Sequence, residues 1–236
     1  MPSSMAANRS TALLDFIRLV VRGDIEQVSR RLARDPALAS MPSDEGATRQ
    51  RAAEFFFADI AHYLYAGDTP LHMAAAGSRR AIAELLLANG ADCRARNRRG
   101  AEPLHYAADA NPRDPAAQTE TIAYLISAGA DPNAVNASGV APLHRAVRTR
   151  SLAAVRALLD GGANPRQRNN SGSMPLHLAV QTTGRGGSGS PFAREQQAAI
   201  VALLLERGAK LTDRDGRGRH VRQAAASKWA ELLLKS

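Results

Sequence analysis

Apolar residues recur along this chain in short groups at regular distances. The pairs Leu86-Leu87, Leu125-Ile126, Leu158-Leu159 and Leu204-Leu205 each stand three or four residues before a glycine. This is the pattern of an amphipathic helix ended by a residue that tolerates left-handed backbone. Upstream of each pair a proline precedes Leu and His, and proline fits the first helical turn because its missing donor costs nothing there. The chain therefore predicts a series of helix pairs. Residues Arg51 to Tyr63, which include Phe55-Phe56-Phe57, predict a further helix ahead of the first of these pairs. The N-terminal group Leu13, Leu14, Phe16, Ile17, Leu19, Val20 and Val21 is broken by Asp15 and Arg18, and no small-residue cleavage site follows it. It does not read as a signal peptide. No apolar stretch reaches the length of about 18 residues expected of a membrane-spanning helix.

Two themes alternate with one basic period. The first is Thr69-Pro70-Leu71-His72, Glu102-Pro103-Leu104-His105, Ala141-Pro142-Leu143-His144 and Met174-Pro175-Leu176-His177, with histidines 33, 39 and 33 residues apart. The second is Gly90-Ala91-Asp92, Gly129-Ala130-Asp131, Gly162-Ala163-Asn164 and Gly208-Ala209-Lys210, with glycines 39, 33 and 46 apart. Thr69 is suited to cap its helix through the hydroxyl. Glu102, Ala141, Met174 and His220 occupy the equivalent place, with an expected loss of about 1 kcal/mol apiece at Ala or Met.

These themes resemble the ankyrin repeat, a unit of about 33 residues made of a turn and two antiparallel helices, with the signature Thr-Pro-Leu-His. The resemblance implies an all-α solenoid with short hairpin fingers and about six repeats. It sets out a tail over 1–10, a degenerate N-terminal capping repeat over 11–40 and an aromatic helical insertion over 41–66. Full repeats follow over 67–96, 97–135, 136–168 and 169–215, then a degenerate C-terminal cap over 216–236. It also implies that His72, His105, His144 and His177 bond turn backbone between repeats. In such proteins the finger tips and the first helix of each pair form a concave face that meets a partner protein. Carried over by period, those positions are Arg96, Arg98, Arg99, Asp109, Arg148, Thr149, Arg168, Asn170, Gln181 and Thr182. Tyr65 and Asp68, at the head of the first full repeat, and Arg185, in a glycine-rich loop, complete the candidate contacts.

Three interruptions stand outside the period. Leu38 and Gly67 are 29 residues apart where a regular array leaves about seven. The extra segment is either an added N-terminal cap or an aromatic contact surface, since exposed aromatics mark interfaces. Asn111 to Gln118 reads as a lengthened loop. The span 181–192 adds 13 residues and contains Gly184-x-Gly186-x-x-Gly189. That spacing follows a helix and not a strand, so it is a poor dinucleotide fingerprint. A flexible insertion, a partner contact and a small anion-binding nest all remain open for it.

Composition changes the picture in three ways. Hydrophobic residues make up 44% of the 236 residues, enough for a substantial core, while aromatics are only 4%, which favours thin, closely packed helices. The single Cys93 cannot form an intramolecular disulfide and reads as a bland loop residue. The net charge of +9 comes from 31 basic against 22 acidic residues, with lysine only at 210, 228 and 235. It reflects either attraction to acidic partners or an arginine-rich coding bias, the latter a hint of bacterial origin. Translated histidines cannot share a zinc ion, because stacked helices stand about 8–10 Å apart and zinc–nitrogen bonds are about 2.0–2.1 Å long. No HExxH, paired CxxC or Gly-x-Ser-x-Gly sequence occurs. The expectation is a monomeric, cytoplasmic, non-catalytic scaffold without cofactor or metal, binding a protein partner. The alternative is RNA, DNA or another polyanion held by arginine-rich tips.

Overall fold

The computed structural model of the chain describes residues 4–109, 114–181, 190–225, 230 and 234. Helix α1 (Ser4–Arg22) pairs with α2 (Ile25–Arg34), followed by a short 3-10 turn at Pro36–Ala39. A small hairpin comes next, β1 (Phe56–Phe57) with β2 (His62–Tyr63). Four further pairs follow: α3 (Pro70–Ala76) with α4 (Arg80–Ala88), α5 (Pro103–Ala107) with α6 (Pro115–Ser127), α7 (Pro142–Thr149) with α8 (Leu152–Asp160), and α9 (Pro175–Ala179) with α10 (Pro191–Glu206). A short α11 (Val221–Ala224) ends the series. The chain divides into two compact units, residues 1–107 with 116–131 and residues 108–115 with 132–236.

In the first unit α3 is central, packing on α1, α4 and α5. Phe16, Ile17 and Val20 of α1, Leu71 and Met73 of α3, Leu86 of α4, Leu104 of α5 and Ile122 of α6 are fully buried. Each such side chain contributes about 1.5–3 kcal/mol by leaving water. Ala74, Ala75 and Ala83 are buried as completely, and their small side chains let neighbouring helices approach closely. In the second unit α7 packs on α8 and α9, α10 on the same two helices, and α11 on α9. Leu143, Val155, Leu158, Leu176, Ile200, Leu204 and Val221 form its core.

The repeated prolines and glycines build the same local structure each time. Proline stands in the first turn of α3, α7 and α9. Gly90, Gly129, Gly162 and Gly208 have φ of 89°, 100°, 91° and 98°, the left-handed backbone that ends the second helix of a pair. The histidine does the capping that was expected of Thr69. Its Nδ1 accepts the backbone N–H three residues upstream, at 3.1 Å from Thr69, Glu102 and Ala141 alike. The Thr69 hydroxyl lies 3.0 Å from His72 Nδ1, so the residue before proline matters less to the cap than expected. With Nδ1 accepting, Nε2 carries the proton, and it donates to Ala101 O at 3.0 Å from His72 and to Ser173 O at 3.3 Å from His144. These two histidines bond the turn of the next repeat, as the resemblance implies, whereas buried His177 departs from it, neither of its ring nitrogens having a hydrogen-bond partner among the described residues. Burial lowers the pKa of His144 and of His177 below the ordinary imidazole value.

A second recurring device closes each finger. Asn97, Asn136, Asn169 and Asp215 each accept, through a side-chain oxygen, the backbone N–H two and four residues on, at 2.9–3.1 Å. Their own N–H groups bond the carbonyl four residues on, at 2.9–3.1 Å. An Asx side chain thus fixes each of these four tips.

Three expectations need correction. The helix expected over 51–63 does not form; the span holds only a short 3-10 turn at Ala53–Phe55. Phe56 pairs with Tyr63 and Phe57 with His62, and Ala61 turns the chain with φ of 50°. Burial alternates: Phe55 and Leu64 enter the core, whereas Phe56 and Tyr63 face outward with ring centroids 4.8 Å apart. Consecutive phenylalanines favour extended backbone, and a hairpin lets one side enter the core while the other pairs outside. The loop expected over 111–118 is shorter, because α6 begins at Pro115. Part of the insertion becomes an extra helical turn, which positions Gln118 to donate to Ala107 O at 2.9 Å. The same happens in α10, where Gln197 donates to Ala179 O at 2.6 Å. Finally, α1 begins at Ser4, inside the segment assigned to a tail.

Candidate protein-interaction site

The first unit carries a cleft that the sequence alone does not assemble. The segment 43–48 is laid across the head of the first full repeat by backbone bonds. Ser43 N donates to Asp68 O at 2.8 Å, Gly67 N to Ser43 O at 2.7 Å and Ala47 N to Leu64 O at 2.7 Å. The finger beside it is tied in by Arg98 N donating to Ala66 O at 3.1 Å. Between segment and finger lies a cavity of about 220 Å³ lined by Asp44, Glu45, Thr48, Arg51, Tyr65, Arg98 and Arg99, among others. A shallower hollow on the other side of residues 47–48 is lined by Arg49, Tyr63, Tyr65 and Arg99.

The charges in this region are unequally satisfied. Arg51 is held by Glu54 at 2.8 Å and Glu45 at 3.3 Å. Arg98, Arg99 and Arg49 have no carboxylate partner among the described residues, and all three are exposed. Arg99 is nonetheless ordered, its guanidinium carbon 3.9 Å above the Tyr65 ring. Stacking occupies the face of a guanidinium and leaves its in-plane N–H donors free for an oxyanion. Tyr63 lies 6.3 Å from Tyr65 and 4.8 Å from Phe56, ring to ring, so an exposed aromatic strip runs away from the cleft.

Beneath the cleft, Asp68 is completely buried. Its carboxylate accepts Tyr65 N at 2.7 Å, Asn97 Nδ2 at 2.8 Å and the Tyr106 hydroxyl at 2.7 Å. Asp68 is therefore a fixed element of the fold and not the partner contact expected of it. Arg96 is exposed but pairs with Glu102 at 3.2 Å, whose carboxyl pKa burial raises, with Arg96 opposing. Cys93, half-buried, donates to Ala128 O at 3.4 Å, and burial raises its thiol pKa, which makes it a poor nucleophile.

The family model described as ankyrin repeats, in three copies, matches residues 47–133 and 115–215. The chain belongs to the ankyrin repeat family. Its members are generally protein–protein interaction modules and typically non-catalytic. A search of curated proteins finds no match to the chain.

The second ankyrin unit presents the other candidate contacts. Arg148 and Thr149 are exposed on α7, where the Thr149 hydroxyl donates to Arg145 O at 3.0 Å. Asp109 pairs with Arg145 at 3.2 Å. Arg168 is exposed and donates to Gly172 O at 3.0 Å within its own finger. Asn170 is partly spent on structure, donating to Ala137 O of the neighbouring finger at 3.1 Å. Gln181 is half-buried at the end of α9. Thr182, Arg185 and the Gly184-x-Gly186-x-x-Gly189 spacing lie outside the described residues. Among the described residues no group of three or more His, Cys, Asp or Glu is placed to hold a metal ion, and no helix is long and apolar enough to cross a membrane.

Sequence reasoning missed Asp44, Thr48, Arg49 and Arg51 as neighbours of the arginine finger, and missed the four Asx residues that hold the tips. The latter carry a readable signal, since Asn97, Asn136, Asn169 and Asp215 each stand three residues before a glycine.

Proposed function

We propose that this ankyrin protein is a non-catalytic scaffold that holds a partner protein through its finger tips and first helices, and that the partner presents acidic groups. The observation that carries this reading is the pair Arg98 and Arg99, exposed on a rigid finger without a carboxylate partner among the described residues. Arginine fits planar carboxylates through two parallel hydrogen bonds. Asx-fixed tips lose little freedom when they bind, so more of the contact energy appears as affinity.

Polyanion binding is the competing reading, because the exposed aromatics Tyr63 and Phe56 beside arginine could stack bases. Asp44 and Glu45 in the same cleft argue against it, since carboxylates repel a continuous phosphate chain. The test is affinity capture with the wild-type chain and with Arg98→Glu/Arg99→Glu/Arg168→Glu, leaving Arg96 on Glu102. The scaffold reading expects one polypeptide retained by the wild type, resistant to nuclease, and lost from the variant. Capture that nuclease abolishes, or that the variant retains unchanged, overturns it.

A further inference from the structure

We infer that the cleft between segment 43–48 and the finger at 97–101 is a docking site for a short linear peptide in which an acidic residue adjoins an aromatic or aliphatic one. The inference rests on the interaction reading and adds a site built by the insertion, outside the repeated framework. Its occupant is set by three observations. First, Arg99 is stacked on Tyr65 at 3.9 Å, and Arg98 lines the same cleft without an ion-pair partner among the described residues. A single carboxylate from the peptide satisfies both better than water does, because the stacked guanidinium is already oriented.

Second, the apolar requirement comes from the strip beside the cleft. Phe56 and Tyr63 keep 42% and 37% of their surface exposed while their rings touch, and aromatic side chains are among those enriched where a partner packs. Third, Asp44 also lines the cleft and has no ion-pair partner among the described residues. It disfavours a uniformly acidic chain, so the site selects a peptide of mixed character over polyglutamate or an oligonucleotide. The cavity of about 220 Å³ suits one or two side chains, not a folded surface.

Selection of random peptides displayed on phage against the full chain tests this directly, followed by titration of the labelled winners. Enrichment of Asp or Glu next to an aromatic or aliphatic residue is expected. Affinity falls by about tenfold or more in Arg98→Glu/Arg99→Glu. Tyr65→Leu, which keeps bulk but removes the stacking face, weakens binding in the same direction. Arg156→Glu, exposed on α8 in the other unit and outside the candidate contacts, changes it by less than about twofold. Winners without acidic residues, equal binding by the double variant, or tighter binding of a single-stranded oligonucleotide overturns the inference. A partner protein still captured by a variant carrying Tyr65→Leu and Phe56→Ser removes the cleft and leaves the scaffold role intact.

Discussion

Replacing Asp68 with alanine is expected to destabilise the first unit by about 2–4 kcal/mol, the cost of leaving several buried donors unmatched. The magnitude follows from what the carboxylate holds. It accepts from Tyr65 N at 2.7 Å, Asn97 Nδ2 at 2.8 Å and the Tyr106 hydroxyl at 2.7 Å, all where Asp68 is fully buried. Hydrogen bonds to a charged acceptor are worth about 1.5–3 kcal/mol each, and a buried donor left unmatched costs about 1–3 kcal/mol. The sum is reduced because alanine no longer carries a desolvated charge. Tyr106→Phe removes one donor and should cost about 1–2 kcal/mol. Urea unfolding followed by far-ultraviolet circular dichroism on the wild type, both single variants and the double variant gives the coupling. The network requires the double variant to lose about 1–2 kcal/mol less than the sum of the singles. A cost below about 1 kcal/mol for Asp68→Ala, or additivity within about 0.5 kcal/mol, would refute the reasoning.

Gly139→Ala should destabilise the second unit by more than Gly90→Ala does the first. A methyl at 139 would stand 2.2 Å from Asn170 Oδ1 and 2.6 Å from its backbone nitrogen, whereas one at 90 meets nothing within 4 Å. The expected costs are above about 2 kcal/mol and about 1 kcal/mol, since both carry left-handed strain but only the first a clash; thermal melts of the two variants check the order. Acidification from pH 7 to 5 should lower stability. The folded-state pKa values of His144 and His177 are lowered by burial, so their contribution is complete above the ordinary imidazole value and is lost as pH falls below it. The slope is at most about 1.4 kcal/mol per pH unit per histidine, and a flat urea midpoint across that range would contradict it. Asp215 acts in a different window. Burial works against it, but the N–H groups of Arg219 and Arg217 and the Arg219 guanidinium outweigh that and hold it at about 2, below its ordinary 3.8. Its stabilisation is present above 3.8 and fades only as pH falls toward 2. Asp215→Asn, which should keep the tip bonds, is therefore expected to flatten the acid limb below pH 4 and, because the Asp215 charge is one of the influences that raise the His177 pKa, to steepen the limb from 7 to 5.

The repeat framework was legible because it is local. Proline, glycine and apolar pairs act within one helix turn of where they stand, and translation by about 33 residues copies their effect. The role of His72 and His144 was legible for the same reason, although the part His72 takes in the cap was not, because its ring nitrogen accepts the Thr69 N–H, a different donor from the one a Thr69 hydroxyl would serve. The aromatic insertion was misread as a helix because side-chain type alone does not set its period. Its outcome depends on Leu64 and Phe55 entering a core supplied by other elements. Asp68 was misassigned for a related reason: Tyr106 and Asn97, which bury it, are brought to it only by stacking of the next repeat. The cleft itself joins residues 44–51 to residues 98 and 99, a register between an insertion and a finger that no periodicity encodes.

The central claim, that a protein partner lies on the finger and insertion surface of this ankyrin chain, is tested most directly by hydrogen–deuterium exchange of the chain with and without its captured partner. Slowed exchange at residues 44–48, 62–66 and 97–101, with α4 and α8 unchanged, is the predicted result. Protection concentrated on α4 and α8, with those three segments exchanging as before, would contradict it.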